Sequence, residues 1–194
     1  MGEKIMDNSI TYDAAKDLVL GELQVSLNSI DPEQVERLIK AVLAADKVFF
    51  VGVGRVLLSL QAVAKRWAHL GIDAHYVGEI TEPAITEKDL LIVGSGSGTT
   101  MVPVGIAKKA RKIGAKVVHI GSNPDSDIQD IVEFMVRIPV RTKAYREDEI
   151  DSQQPMTSLF EQSLLLLGDI VAKMIAEREH LDMKGLWQHH ANLE

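Results

Sequence analysis

The sequence predicts an α/β fold, a parallel sheet with helices on both faces. Three observations predict it. Short strand-like runs recur along the chain, and the clearest, Val48-Phe49-Phe50-Val51 and Leu90-Leu91-Ile92-Val93, are continuously apolar, as strands buried on both faces are. Segments of helical period separate them, and alternation of this kind specifies parallel strands joined by crossovers. Two of the strands run straight into glycine-rich turns that open helices, at residues 52–54 and 94–98.

Residues 8–28 read as a helix, with Ala14, Ala15, Leu18, Val19, Glu22, Val25 and Ser26 forming a stripe toward the core. Asp31 suits an N-cap and Pro32 the first position of a second helix, which runs to about Ala45. Residues 47–51 form the first strand. A helix over 55–70 closes at Gly71, and a short strand follows at 74–77. Residues 89–93 form the third strand, 99–113 a helix closing at Gly114, 116–120 the fourth strand and 132–138 the fifth. Residues 139–153 turn polar and irregular, as in a solvated loop or lid. Pro155 opens a long helix to about Arg178, and a tail follows from Leu181. We read residues 1–194 as one domain: N-terminal helices over 1–45, a sheet core over 46–139, and a C-terminal helix and tail over 154–194.

Composition excludes several classes of function. The formal net charge is −7 and aromatic residues make up 5%, with no basic stripe, so no nucleic-acid partner is expected. No apolar run is long enough to span a membrane, and residues 1–10 lack the apolar segment of a secretory signal. The chain has no cysteine, which removes disulfides and thiolate metal sites and fits a cytoplasmic setting. His189 and His190 are adjacent and point about 100° apart on a helix, so no metal site is expected, and no cofactor.

The chemistry is concentrated at Gly94-Ser95-Gly96-Ser97-Gly98-Thr99-Thr100. Here a buried strand ends, glycines alternate with serines, and a helix begins. Glycines let the backbone approach a ligand, and the helix start leaves amides pointing outward with the positive end of the dipole behind them. With four hydroxyls added, this is an anion cradle that needs no lysine. The Gly-Lys-[Ser/Thr] ending of a nucleotide loop is absent, and so is the dinucleotide spacing. The plainer reading is a strand-to-helix turn capped by a single hydroxyl. The first strand ends in Gly52-Val53-Gly54-Arg55, and the two turns are expected to meet where strand order reverses. Arg55 is placed to pair with a carboxylate or a sugar oxygen, or to form a surface salt bridge.

These residues resemble a known family. Gly52-Val53-Gly54-Arg55, the loop over 94–100, Tyr76-Val77-Gly78-Glu79, Gln154-Pro155-Met156-Thr157-Ser158-Leu159-Phe160-Glu161-Gln162 and the terminal His189-His190-Ala191-Asn192-Leu193-Glu194 are similar to the sugar isomerase (SIS) domains, and within them to the 6-phospho-3-hexuloisomerases. The resemblance covers the chain from about residue 10 onward. It implies a three-layer α-β-α, flavodoxin- or Rossmann-like fold with a five-stranded parallel sheet, in a homo-oligomer, a tetramer. It implies interconversion of D-arabino-hex-3-ulose 6-phosphate and fructose 6-phosphate. It implies that Ser95, Gly96, Ser97, Gly98, Thr99 and Thr100 hold the phosphate, that Gly54, Arg55 and Val56 line the substrate site, and that Glu161 is the base. Two positions depart from the family pattern: Val56 stands where Ser is usual, and Thr99 where Glu is frequent. The first bears on the sugar more than on the phosphate.

Moving a carbonyl from C3 to C2 needs a base at the C2 proton, and a carboxylate serves if burial brings its pKa toward neutrality. Glu161 lies in a leucine-rich stretch and shares a helical face with Leu164, Leu165 and Gly168. The competing reading is a capping box with Ser158, against which Pro155 suggests an earlier helix start. His190 is the candidate proton donor, acting in a neighbouring subunit's site. Glu79 is placed to orient a sugar hydroxyl, to pair with Arg55, or to remain a solvated acid. His69, His75 and His119 read as structural, the last as a satisfied core residue, while Trp67 and Trp187 suit a subunit interface. Two other functions fit the same cradle: a phosphosugar sensor without catalysis, and an isomerase of a different phosphosugar.

Overall fold

The structure is a computed structural model and describes residues 9–193. Five strands, β1 (Val48–Val51), β2 (Ala74–Tyr76), β3 (Leu90–Gly94), β4 (Lys116–Gly121) and β5 (Phe134–Arg137), form one parallel sheet in the order β2-β1-β3-β4-β5. The helices are α1 (Tyr12–Asn28), α2 (Pro32–Leu43), α3 (Gly54–Ala68), α4 (Met101–Ile113) and α5 (Ser158–Arg178). A 3₁₀ turn over Gly185–His189 lies in the tail. Among the described residues no helix is long and apolar enough to cross a membrane.

The period-two geometry of a strand divides the core. Val48, Phe50, Leu90, Ile92, Val118 and Ile120 face one side, where they pack with α2, α3 and α5. Phe49, Val51, Leu91, Val93 and Val117 face the other, beneath α4 and Ile128. Burial on both faces explains the unbroken apolar runs. The expected fold class is therefore borne out.

Asp31 caps α2 through the Glu33 amide at 2.8 Å, with Pro32 at the first position. Gly114 closes α4 in the left-handed conformation, φ +106°. Two expectations change. The helix expected from residue 8, which lies outside the described residues, runs from Tyr12, and of its supposed stripe only Ser26 is buried, while Val25 is 54% exposed. This helix lies outside the sheet layers and packs on α5, where Ser26 and Ser163 share a hydrogen bond of 2.7 Å. The long helix starts at Ser158, three residues beyond Pro155.

The contact between α3 and α5 determines how the site is assembled. A Cβ on Gly168 would lie 2.2 Å from Val63 Cγ2, so the helices meet where only glycine fits. Trp67 locks the crossing, its buried indole donating to the Gly168 carbonyl at 2.9 Å. The first turns of both helices thereby face one another at the carboxyl end of the sheet. Trp67 is thus a core residue of the chain.

Candidate active site

The loop after β3 has three successive carbonyl oxygens, those of Ser95, Gly96 and Ser97, tied to neighbouring donors. Ser95 O accepts from His119 Nε2 at 2.8 Å and from the Gly98 amide at 3.2 Å. Gly96 O accepts from the Ser122 and Asn123 amides at 3.0 and 3.1 Å, and Ser97 O from Asn123 Nδ2 at 3.2 Å. Among the described residues, no hydrogen bond engages the amides of Gly96, Ser97, Thr100, Met101 and Val102. Carbonyl oxygens tied in this way and free amides at a helix N-terminus are what an anion requires. No side chain caps α4, although Thr100 occupies the cap position. The hydroxyls instead bond within the loop: Ser95 Oγ accepts from the Gly98 amide at 3.1 Å, and Ser97 Oγ from Thr99 Oγ1 at 3.2 Å. The simple capped turn therefore does not describe this loop.

Two residues hold the shape. Gly98 has φ +65°, and a Cβ there would lie 2.0 Å from Ser126 Oγ. His119 is fully buried in β4, and burial pushes its pKa down to about 4 against the opposing pull of its bond to Ser95. It is a neutral imidazole, with Nε2–H donating to Ser95 and Nδ1 accepting from Gln129 Nε2 at 3.0 Å. The core-histidine reading is correct, and this residue also fixes the cradle from behind.

Between β1 and β3 the strand order reverses, so the turns at residues 52–54 and 94–100 lie side by side. Arg55 is in the first turn of α3 and Glu161 in the first turn of α5, and the Arg55 Nε donates to Glu161 Oε2. The Glu161 residue is 7% exposed, whereas the Arg55 side chain is 64% exposed, so the pair runs from the interior to solvent. Arg55 thus forms an ion pair within the chain. Val56 packs its Cγ1 over the ends of β1 and β3, 3.2 Å from where a Gly52 Cβ would lie and 2.9 Å from the Gly94 equivalent.

The start of α5 removes the capping-box reading of Glu161 and the argument from Pro155 that opposed it. Pro155 does not open the helix, and Ser158 is not its cap. The cap position is Thr157, and Ser158 Oγ donates to the Pro155 carbonyl at 2.8 Å, so no capping box forms. Glu161 Oε1 instead accepts from Thr157 Oγ1 at 2.8 Å, and Ser59 Oγ donates to the Glu161 carbonyl at 3.0 Å. Sequence reasoning missed Thr157, whose signal was its position one helical turn before the carboxylate.

His190 lies elsewhere. Its ring stacks on His69 at 5.2 Å between centroids and lies the same distance from Trp187. His69 follows the last turn of α3, about 20 Å along the helix from Arg55 at 1.5 Å per residue. Within one chain the fold does not bring His190 to Glu161. This end of α3 and α5 and the tail enclose a cleft of about 330 Å³ remote from the cradle. Glu79 does not reach Arg55; its Oε1 pairs with His75 Nδ1 at 2.5 Å.

Residues 51–122, which span the crevice and cradle, match the SIS domain model. The chain is 38% identical over 176 residues to the 3-hexulose-6-phosphate isomerase of Bacillus subtilis, covering 91% of this chain and 95% of that one. It is 37% identical to the 3-hexulose-6-phosphate isomerase of Mycobacterium gastri, over 98% and 94% of the two chains. Among solved structures, a hypothetical protein of Methanococcus jannaschii, whose crystal structure infers a 3-hexulose-6-phosphate isomerase function, superposes with a TM-score of 0.80 at 29% identity, over 93% of this chain and 99% of that one. The chain belongs to the SIS-domain family, in the branch that holds the 3-hexulose-6-phosphate isomerases.

Proposed function

We propose that this protein is a phosphosugar isomerase that interconverts D-arabino-hex-3-ulose 6-phosphate and fructose 6-phosphate. The observation that carries the reading is a buried carboxylate, Glu161, paired with Arg55 at the same sheet end as a loop of free amides. Ser95, Gly96, Ser97, Gly98, Thr99 and Thr100 take the phosphate, with the α4 dipole behind them. Glu161 removes the C2 proton, the C3 oxygen gains a proton, and a 2,3-enediol forms. The same carboxylate returns its proton to C3 while the C2 hydroxyl gives up its own, leaving a C2 carbonyl. Adjacent carbons allow one base to serve both steps. Arg55 uses only Nε on Glu161 and keeps its terminal nitrogens for a sugar oxygen.

The supporting geometry for the tail is its distance from the chain's own base. In this reading the protein is a cytoplasmic homotetramer in which His190 donates a proton in a neighbour's site. The test of the central claim is Glu161→Gln. The variant should bind phosphosugar with unchanged affinity and show no turnover by NMR; turnover at the wild-type rate removes Glu161 from the mechanism. Val56 favours a second reading, an isomerase of a different phosphosugar, because it removes a hydroxyl from the crevice. A panel of ketose and aldose phosphates separates the two, and binding without conversion across the panel would mark a sensor.

A further inference from the structure

We propose that Thr157 is a positioning residue for the base, holding the Glu161 carboxylate in the rotamer that reaches the substrate. The proposal rests on the reading of Glu161 as the base. Three features of the Gln-Pro-Met-Thr segment support it independently.

The first is an unused opportunity. A threonine at an N-cap normally turns its hydroxyl to a free amide of the first turn. Thr157 occupies that position in α5 but makes no capping bond, and its backbone, φ −108° and ψ 26°, lies outside the extended region usual for a cap. The hydroxyl goes instead to Glu161 Oε1 at 2.8 Å.

The second is local strain. Met156 has φ +56°, a left-handed conformation unfavourable for a residue with a side chain. Its side chain offers no compensating burial, because the residue is 89% exposed. Strain retained without packing benefit marks a segment held for another reason. The bend turns the chain so that Thr157 begins the helix with its hydroxyl toward the carboxylate.

The third is the anchor on the other side of the bend. Glu22 on α1 accepts from Ser152 Oγ at 2.6 Å, the Gln153 amide at 2.7 Å and Gln154 Nε2 at 3.0 Å. The segment is therefore held to one helix before the bend and to the base after it.

The two carboxylate oxygens are then each held by a different partner, Oε2 by Arg55 and Oε1 by Thr157. Each oxygen keeps a further lone-pair direction, so the group is oriented and still able to accept a proton. A base that must serve two adjacent carbons gains from this, because small misplacement costs rate rather than binding.

The experiment compares Thr157→Val, Thr157→Ser and Glu161→Gln in the full-length protein, with kcat and KM followed by NMR and folding by thermal melting. Valine keeps the shape and removes the hydroxyl. It should lower kcat about tenfold or more with KM and Tm essentially unchanged, and serine should restore kcat. Wild-type kcat in Thr157→Val with an inactive Glu161→Gln overturns the positioning role alone. A loss that serine does not restore, or one that appears in KM or Tm instead of kcat, also overturns it. Full activity in Glu161→Gln overturns both this role and the assignment of the base.

Discussion

Acidification should weaken the fold through His119 by an amount the structure allows us to work out. The ring is fully buried and neutral, and burial lowers its pKa from 6.5 to about 4. At about 1.4 kcal/mol per unit, that gap corresponds to about 3 kcal/mol. The sign follows from proton counting. Above 6.5 neither state binds a proton at this site, and the stability is intact. Between 6.5 and about 4 the unfolded chain takes up a proton that the native ring refuses, so stability falls. Below that window both states are protonated and the loss is complete. His69 shifts downward too, by burial first and then by the field of Lys65 and Arg66, and it acts in the same direction. Burial pushes the Glu22 and Asp89 carboxyls up, but their several hydrogen bonds together hold them below the ordinary 4.5 and 3.8, so their losses come at lower pH. Comparison with His119→Gln cancels these shared terms. Urea denaturation from about pH 8 to about pH 4 should show the wild type losing about 3 kcal/mol more than the variant. Parallel curves would refute the assignment of a buried, neutral His119.

Two substitutions test the cradle and the crevice. Gly98→Ala places a methyl 2.6 Å from Ser126 Cβ at a φ of +65°, so it should cost about 2–4 kcal/mol and weaken phosphosugar binding in calorimetry; wild-type Tm and affinity would show that the loop does not depend on this glycine. Val56→Ser removes methyls packed over the ends of β1 and β3 and adds a donor, so it should cost about 1 kcal/mol while lowering KM for the hexulose phosphate. An unchanged ranking across the substrate panel would remove Val56 as a determinant of specificity.

The fold was readable where burial leaves a simple trace. Strands β1 and β3 are covered on both faces, and their residues form unbroken apolar runs that end at glycines. The stripe on α1 failed for the opposite reason. That helix packs in an outer position on α5, and its one buried residue is Ser26, bonded to Ser163. A buried polar pair across 137 residues leaves no hydrophobic period to detect. Pro155 misled because proline suits the turn before a helix as well as its first position. The local pattern carried no information on the anchor at Glu22, which lies more than 100 residues away and determines how that turn runs.

The site divides along the same line. The cradle is local, contained in seven consecutive residues, and its glycines and hydroxyls could be read one by one. The ion pair is not local: Arg55 and Glu161 meet across 106 residues because Gly168 and Trp67 fix the crossing of α3 and α5. The sequence could identify each partner as unusual, a cation after a Gly-x-Gly turn and an acid in a leucine-rich helix, but not their contact. Their union alters how each is understood. Arg55 compensates the charge that makes Glu161 costly to bury, and its own exposure keeps the pair open to a ligand. The Glu161 carboxylate, held between Arg55 and Thr157, depends on the helix crossing behind it as much as on the residues touching it. Substitutions at Gly168 should therefore reduce activity through the angle of α5, in a protein whose cradle is untouched.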